Sequence, residues 1–181
     1  MRSSTQRFKL SARELAIFAT LGAMMFVSRA AMSQIPNIHP LALFIGASTV
    51  VYRSKALFAV YVFVFLDLLY QGVSPFWVPK LYLYLPLWGM FMLVSKINMS
   101  PEVKVPVYAV VAGLNGLMFG ALWTPWQAVM FGLNFDGMVT WWLAGVRFDI
   151  VHAVGNFAAG LLIVPFAATL QRLNCVANIK K

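Results

Sequence analysis

Long apolar stretches separated by short polar or basic turns run along most of the chain. A helix that crosses a bilayer needs about 20 apolar residues, within a range of about 17–25. The spacing predicts six spans, at 12–32, 39–52, 55–71, 80–96, 105–123 and 147–170. The second of these is short, so it must tilt little, gain length from the preceding turn or lie within protein. We therefore expect an all-α membrane protein, a six-transmembrane-helix bundle that forms a single integral domain over 1–181.

The stretch 124–146 breaks this regular pattern, because helix breakers and polar residues interrupt its apolar sequence. These residues are Pro125, Gly132, Asn134, Asp136 and Gly137. Irregular backbone at membrane depth is tolerated only where protein or a wet cavity covers it. We expect an outer loop or cap at 124–146, built either as a pair of short helices or as a re-entrant segment.

Basic residues indicate the orientation of the bundle. With six spans and both termini in the cytoplasm, 11 of the 14 Lys and Arg residues fall on the inner side. The inner group is Arg2, Arg7, Lys9, Arg13, Arg53, Lys55, Lys96, Lys104, Arg172, Lys180 and Lys181. The outer group is Arg29, Lys80 and Arg147. Cytoplasmic loops carry an excess of Lys and Arg, so the count favours cytoplasmic N and C termini.

Composition excludes several classes of protein. The chain is 61% hydrophobic and 10% charged, whereas soluble domains are about half apolar and about a quarter charged. Its net charge of +9 is explained by the inner basic residues, so we expect a bilayer and no nucleic acid as its surroundings. No ATP-binding phosphate loop and no common hydrolase motif occurs in the sequence. We expect no catalytic residue, no metal site and no cofactor.

A polar stripe lies in the sixth predicted span, where Asp149, His152 and Asn156 share one helical face. Charged groups inside a bilayer are costly and tend to face a cavity or a polar partner. The stripe lines a ligand site or forms a hydrogen-bond network between helices. A third interpretation, an Asp–His catalytic dyad, defines the alternative function of a small membrane enzyme that uses Asp149 and His152.

Further polar and aromatic residues gather at the same outer end. Asp67 either meets a ligand or pairs with Lys80 across a short loop. Aromatic residues collect at membrane interfaces, but the inner side has no matching belt, and this one-sided enrichment favours a stacking site. The predicted ligand-binding residues are Asp67, Tyr70, Trp77, Lys80, Tyr84, Trp126, Gln127, Trp141, Asp149, His152 and Asn156.

Small residues form two stripes. In the first span, Ala12, Ala16, Ala19 and Ala23 accompany Gly22 on one side of a helix. Small stripes let helices approach closely in lipid, so this face serves packing within the bundle or docking on another protein. Gly113, Gly116 and Gly120 predict close helix packing in the fifth span.

Three segments resemble the substrate-binding (S) components of energy-coupling factor (ECF) vitamin transporters. Ala19-Thr20-Leu21-Gly22-Ala23 is similar to the A-x-x-x-A motif of their first helix. The run 39–45 and the run Asp149…His152…Gly155-Asn156-Phe157 resemble further segments of the family. The resemblance extends over nearly the whole chain.

The resemblance implies a function. Members capture a vitamin outside the cell and dock on a membrane scaffold (T) subunit that carries two ATPase subunits. Ala19 and Ala23 would form the docking surface, and the chain would be a transporter subunit of a bacterial cell membrane rather than an enzyme. The aromatic content favours a large ligand, cobalamin or another corrinoid, ahead of pantothenate and a pyrimidine or pyridoxine-type vitamin.

Overall fold

All regular structure in the described part of the chain, residues 10–178, is helical in the computed structural model. The helices are α1 Ala12–Ala31, α2 Leu41–Tyr52, α3 Ala56–Gln71, α4 Lys80–Leu83, α5 Leu85–Val94, α6 Pro101–Phe131, α7 Phe135–Gly160 and α8 Ile163–Asn178. Arg2, Arg7, Lys9, Lys180 and Lys181, which contribute to the charge count, lie outside the described residues.

Ion pairs show that α1 and α3 run in the same direction. Glu14 at the start of α1 accepts a hydrogen bond from Lys55 just before α3, and Arg29 at the end of α1 pairs with Asp67 near the end of α3. These pairs define two ends of the bundle, here called the Glu14 end and the Asp67 end. Helix α2 runs the opposite way between them, because the hydroxyl of Tyr52 at its last turn donates to Asn174, to which Arg13 also donates.

The remaining helices continue this alternation. Lys80 of α4 pairs with Asp67, and Arg53 donates to Ser95 just after α5, so α4 and α5 together run back to the Glu14 end. Helix α6 then returns to the Asp67 end, where Trp126 donates to the Pro75 carbonyl oxygen at 2.8 Å. Helices α7 and α8 complete the sixth pass.

Helices α6 and α7 pack antiparallel and unusually close. A Cβ added at Gly116 would lie 2.6 Å from the Cα of Ala153, and a Cβ at Gly160 would lie 2.6 Å from the Cα of Ala109. Such distances leave no room for any side chain at either glycine. The expectation of close packing by the fifth-span glycines is confirmed.

Helix α2 is central in the fold. Its residues from Leu41 to Thr49 are almost all buried, and the hydroxyls of Ser48 and Thr49 donate back to the Phe44 and Ile45 carbonyl oxygens of the same helix. At 12 residues the helix is about 18 Å long, well short of a bilayer core of about 30 Å. It lies within protein, which is one of the three arrangements expected for a span of this length.

Within residues 10–178, four helical stretches are long and apolar enough to cross a membrane, and the bent pair of α7 and α8 would make a fifth. One of the four, Leu41–Gln71, contains both α2 and α3. Its direction reverses at Arg53, which adopts a positive φ of 56°. The all-helical class is confirmed, and the four or five candidate spans among the described residues are consistent with a helical membrane bundle.

The outer loop or cap expected at 124–146 is wrong. Helix α6 continues through Pro125 to Phe131 and ends at Gly132, whose left-handed φ of 61° suits glycine. Helix α7 begins directly after Asn134, whose side chain accepts from the Gly137 amide at 2.8 Å. A proline inside a helix removes a single hydrogen bond, and membrane helices tolerate that loss where a neighbouring helix covers the site.

The single span expected at 147–170 is also wrong. Helix α7 starts twelve residues earlier, at Phe135, and the chain bends by 47° between α7 and α8. Pro165 accounts for the break, because its ring cannot donate to Leu161 and collides with that carbonyl group. Similarly, the stretch expected at 80–96 is interrupted at Tyr84, just before Pro86 in the first turn of α5.

Candidate functional site

A cavity opens at the Asp67 end of the bundle. Its volume is about 440 Å³, within the range of about 300–1,000 Å³ typical of small-molecule sites. We call it the Arg29 cavity. Its lining residues are Arg29, Met32, Ser33, Ile35, Pro36, Asn37, Ile38, His39, Gln71, Phe76, Lys80, Tyr84, Phe119 and Trp123.

A buried ion triad forms one wall of the Arg29 cavity. Asp67 is fully buried and accepts from Arg29, from Lys80 and, at 2.6 Å, from the Gln71 amide. The pairing of Asp67 with Lys80 is one of the two arrangements that the sequence left open. Because two cations meet one carboxylate, the triad carries a net charge of +1. Arg29, Lys80 and Gln71 line the cavity, whereas Asp67 lies behind them.

A second cavity of about 360 Å³ adjoins the first and shares Asn37, Phe119 and Trp123 with it. We call it the Asp149 cavity. It lies between α6 and α7, and half of its lining residues are aromatic. The remaining lining residues are Gly120, Thr124, Trp141, Trp142, Gly145, Phe148 and Asp149.

Asp149 is held in place by the backbone of α6. The residue is 4% exposed, and Oδ1 accepts from the Gly120 amide at 2.9 Å. A side chain at position 120 would overlap the carboxylate, so only glycine fits there. Oδ2 has no hydrogen-bond partner of normal geometry, and the Trp142 side chain lies beside it.

The predicted stripe continues below the two cavities. Asp149, His152 and Asn156 are 4%, 3% and 2% exposed, so all three face the protein interior. The ring of His152 lies edge to face against His39, with centroids 5.1 Å apart, and against Phe119 at 4.5 Å. The burial of His39, in the loop before α2, lowers its pKa from 6.5 to about 4.

Around His39 and His152, four buried polar atoms have no hydrogen-bond partner among the residues that the structure describes. They are Nδ1 of His39, Nδ1 of His152, Nδ2 of Asn115 and Oδ1 of Asn156. All four residues line a cavity of about 10 Å³, the space of about one water molecule. Buried polar groups in native proteins are nearly always satisfied, so this concentration marks a place where a water or a ligand group belongs.

The structure brings together only part of the predicted ligand set. Lys80 and Tyr84 line the Arg29 cavity, Trp141 and Asp149 line the Asp149 cavity, and His152 and Asn156 lie beneath both.

The other predicted ligand residues have different surroundings. Tyr70 is 70% exposed and meets Phe26, while Trp77 and Trp126 donate to backbone carbonyl oxygens. Gln127 is buried, but it does not line either cavity.

Sequence reasoning missed Asn37, Phe119 and Trp123, the three residues shared by both cavities. Asn37 adopts a left-handed φ of 58° in the turn after α1, which brings that turn over the cavities. Phe119 and Trp123 follow Asn115 at intervals of four along α6. This spacing places all three on one helical face and could have identified them.

The geometry offers no support for a catalytic dyad. No hydrogen bond joins Asp149 and His152, because Asp149 accepts from Gly120 and the His152 ring packs on His39 and Phe119. Among the side chains that the structure describes, no three His, Cys, Asp or Glu residues are grouped closely enough to hold a metal.

The small residues of α1 divide between two environments. Gly22 is buried where a Cβ would lie 2.8 Å from the Ala59 carbonyl oxygen, so it packs against α3. Ala19 is exposed and Ala23 is half-buried. An apolar groove of about 340 Å³ runs beside them between α1 and α8 and includes Ala16 and Thr20.

No family model, curated protein or solved structure matches the chain.

Proposed function

We propose that the protein is the substrate-binding component of an ECF-type importer, and that it captures a vitamin or related micronutrient in the Arg29 cavity. The observation that carries this proposal is the Arg29 cavity itself, a volume of about 440 Å³ at one end of a six-pass helical bundle. Aromatic rings and a net positive triad line it, which suits a small ring-bearing molecule with an anionic group.

The proposal places the protein in the cell membrane of a bacterium, with both termini in the cytoplasm and the Asp67 end outside. The distribution of Lys and Arg supports this orientation. The chain itself performs no chemistry, and two partner ATPase subunits on a scaffold subunit drive import. The absence of an ATP-binding phosphate loop from the sequence fits this division of labour.

The volume of the cavity favours the smaller candidate ligands. A corrinoid such as cobalamin is larger than either cavity, whereas pantothenate and pyrimidine or pyridoxine-type vitamins match the volume of one. Arg29 and Lys80 are positioned to meet a carboxylate or phosphate, because charge-assisted hydrogen bonds to such groups are short and strong.

A thermal-shift screen of the purified protein against a vitamin panel tests ligand capture. A ligand that binds only the folded state raises the melting temperature, by an amount that grows with its concentration over Kd. We expect one vitamin to raise it in the wild type and to do so less in Lys80→Gln. If no vitamin on the panel changes the melting temperature, ligand capture is contradicted.

Docking on the scaffold subunit has its own test. Ala19 is exposed, so Ala19→Trp should leave folding and ligand binding intact while blocking uptake in cells that contain the partner subunits. Val154→Trp is the matched control, because Val154 is 65% exposed on the lipid-facing side of α7. Normal uptake by the Ala19 variant contradicts the docking role of Ala19 and Ala23.

A further inference from the structure

We propose that the Asp149 cavity is a binding subsite for a cationic nitrogen group, an organic ammonium or a protonated ring nitrogen. The inference that the captured ligand occupies this subsite rests on the proposed function. It adds that the captured molecule carries a positive nitrogen group beside an aromatic ring. Asp149 supplies the charge for recognition, and the Trp side chains around it supply the surface.

The first line of argument is the state of the carboxylate. Two other acidic side chains among the described residues are buried or half-buried, and both form ion pairs. Asp67 pairs with Arg29 and Lys80, and Glu14 pairs with Lys55. Asp149 has no ion pair with any residue that the structure describes; its Oδ1 accepts from the Gly120 amide, and the neutral Trp142 side chain lies beside Oδ2. An aspartate that is 4% exposed and lacks a cation calls for a compensating positive group.

The nearest basic residue along the chain does not supply that group. Arg147 is two residues from Asp149 on α7, and its guanidinium lies 4.9 Å from the centroid of the Phe148 ring. Residues two apart on a helix do not face each other. The cavity lining therefore includes no basic side chain among the described residues, and position 120 is a glycine.

The second line of argument is the lining. Trp123, Trp141 and Trp142 all border the Asp149 cavity. Tryptophan is the best of the aromatic side chains at attracting a cation over its face, and the attraction is larger where water is excluded. A buried carboxylate among three indole rings is an arrangement suited to an organic cation rather than to a hydrated metal ion.

The two cavities also have complementary charge. The triad beside the Arg29 cavity is net positive, whereas the Asp149 carboxylate is negative, and Asn37, Phe119 and Trp123 border both spaces. One molecule can therefore reach both, with an anionic or polar group at Arg29 and Lys80 and a nitrogen cation at Asp149. Among the candidate vitamins, this charge pattern favours aminopyrimidine and pyridoxamine-type molecules over pantothenate, which has no cationic nitrogen.

The test uses two probes of nearly equal shape, benzylamine, which is an ammonium ion at neutral pH, and neutral benzyl alcohol. Each is titrated into the purified full-length protein, with binding followed by tryptophan fluorescence and by melting temperature. We expect saturable binding of benzylamine to the wild type, about tenfold tighter than that of benzyl alcohol, a difference of about 1.4 kcal/mol. Equal responses to the two probes overturn the proposal.

Variants localise the effect. Asp149→Asn keeps an oxygen that accepts from the Gly120 amide, so the helix contact survives while the charge is lost. Asp136→Asn is the matched control, because it makes the same change at an exposed position of the same helix. We expect the preference for benzylamine to disappear in the Asp149 variant and to persist in the Asp136 variant; persistence in both overturns the proposal.

If Asp149→Asn does not fold, Trp142→Leu replaces it and should weaken benzylamine binding by at least about threefold, as expected for loss of a cation–π contact.

The outcomes separate this inference from the proposed function. Selective benzylamine binding without stabilisation by any vitamin supports the subsite and contradicts vitamin capture. A vitamin that binds and is imported equally well by the wild type and Asp149→Asn contradicts the subsite alone.

Discussion

Asp67 on α3 accepts a hydrogen bond from the ammonium group of Lys80 on α4, and both side chains are almost completely removed from solvent. The contact joins helices on either side of a short loop and holds Lys80 against the wall of the Arg29 cavity. Arg29 from α1 completes the triad, so one carboxylate fixes the relative positions of three helices. The two cations can then present to a ligand only those N–H groups that Asp67 does not use.

Removing the charge of Asp67 should destabilise the protein strongly. Asp67→Asn leaves Lys80 buried without a counter-charge, and breaking a buried ion pair in this way costs about 3–5 kcal/mol. A denaturant titration of the purified protein in mild detergent measures the change in the free energy of unfolding. Adding Lys80→Met to Asp67→Asn should recover part of the loss, because the second change removes the unpaired cation.

The pair of Glu14 and Lys55 is the internal control for this prediction. Its side chains are 27% and 33% exposed, and exposed pairs contribute about 0–1 kcal/mol. Glu14→Gln retains an oxygen that can accept from the Ser11 amide at the start of α1. If Glu14→Gln lowered the free energy of unfolding as much as Asp67→Asn, burial would not determine the cost of breaking an ion pair.

Close packing of α6 on α7 predicts different effects for two glycine substitutions. Gly116→Ala should lower the melting temperature substantially, since its Cβ would meet the backbone of Ala153 at 2.6 Å. Gly145→Ala, on α7, has open space around its Cβ and should be neutral or stabilising by up to about 1 kcal/mol, because alanine favours the helix. Equal melting temperatures for the two variants would contradict the antiparallel contact.

Acid should weaken the fold through His39. Its pKa is 6.5 when unfolded and about 4 when folded, so between these values the unfolded chain binds more protons than the folded one. Stability from this group is therefore fully present above pH 6.5 and is lost as the pH falls towards 4. The charged and titratable groups that face His39 are Arg29 and His152, and both disfavour a positive charge on it when they are protonated.

The measurement is the melting temperature between pH 7.5 and pH 4 for the wild type and His39→Gln. The variant should lose less stability across this interval than the wild type. Identical pH profiles for the two proteins would show that protonation of His39 does not cause the loss of stability in acid.

The unpaired carboxylate of Asp149 predicts a gain in stability when its charge is removed. Without ligand, Asp149→Asn should melt at the same temperature as the wild type or higher, since the buried charge has no cation partner and the asparagine oxygen can still accept from the Gly120 amide. Residues kept for binding rather than for stability commonly behave in this way. A large fall in melting temperature would instead assign Asp149 a structural role between α6 and α7.

The sequence by itself determined the helical class and the bounds of the early helices. Long apolar stretches closed by basic or proline-containing turns locate α1, α2 and α3 to within two residues, because hydrophobic length and turn chemistry are local properties. The polar stripe of Asp149, His152 and Asn156 was equally local, since helical spacing places the three on one face.

Only the tertiary structure decided which of the prolines interrupt a helix. Pro125 lies inside a continuous α6, whereas Pro165 coincides with a bend of 47°, and the two stretches look alike in sequence. The difference depends on what packs beside each proline, which is a contact between distant parts of the chain. The same reason explains the different surroundings of Asp67 and Asp149. Asp67 is buried behind cations from α1 and α4, whereas Asp149 meets the backbone of α6 and borders a cavity. Spacing along a single helix does not encode such contacts.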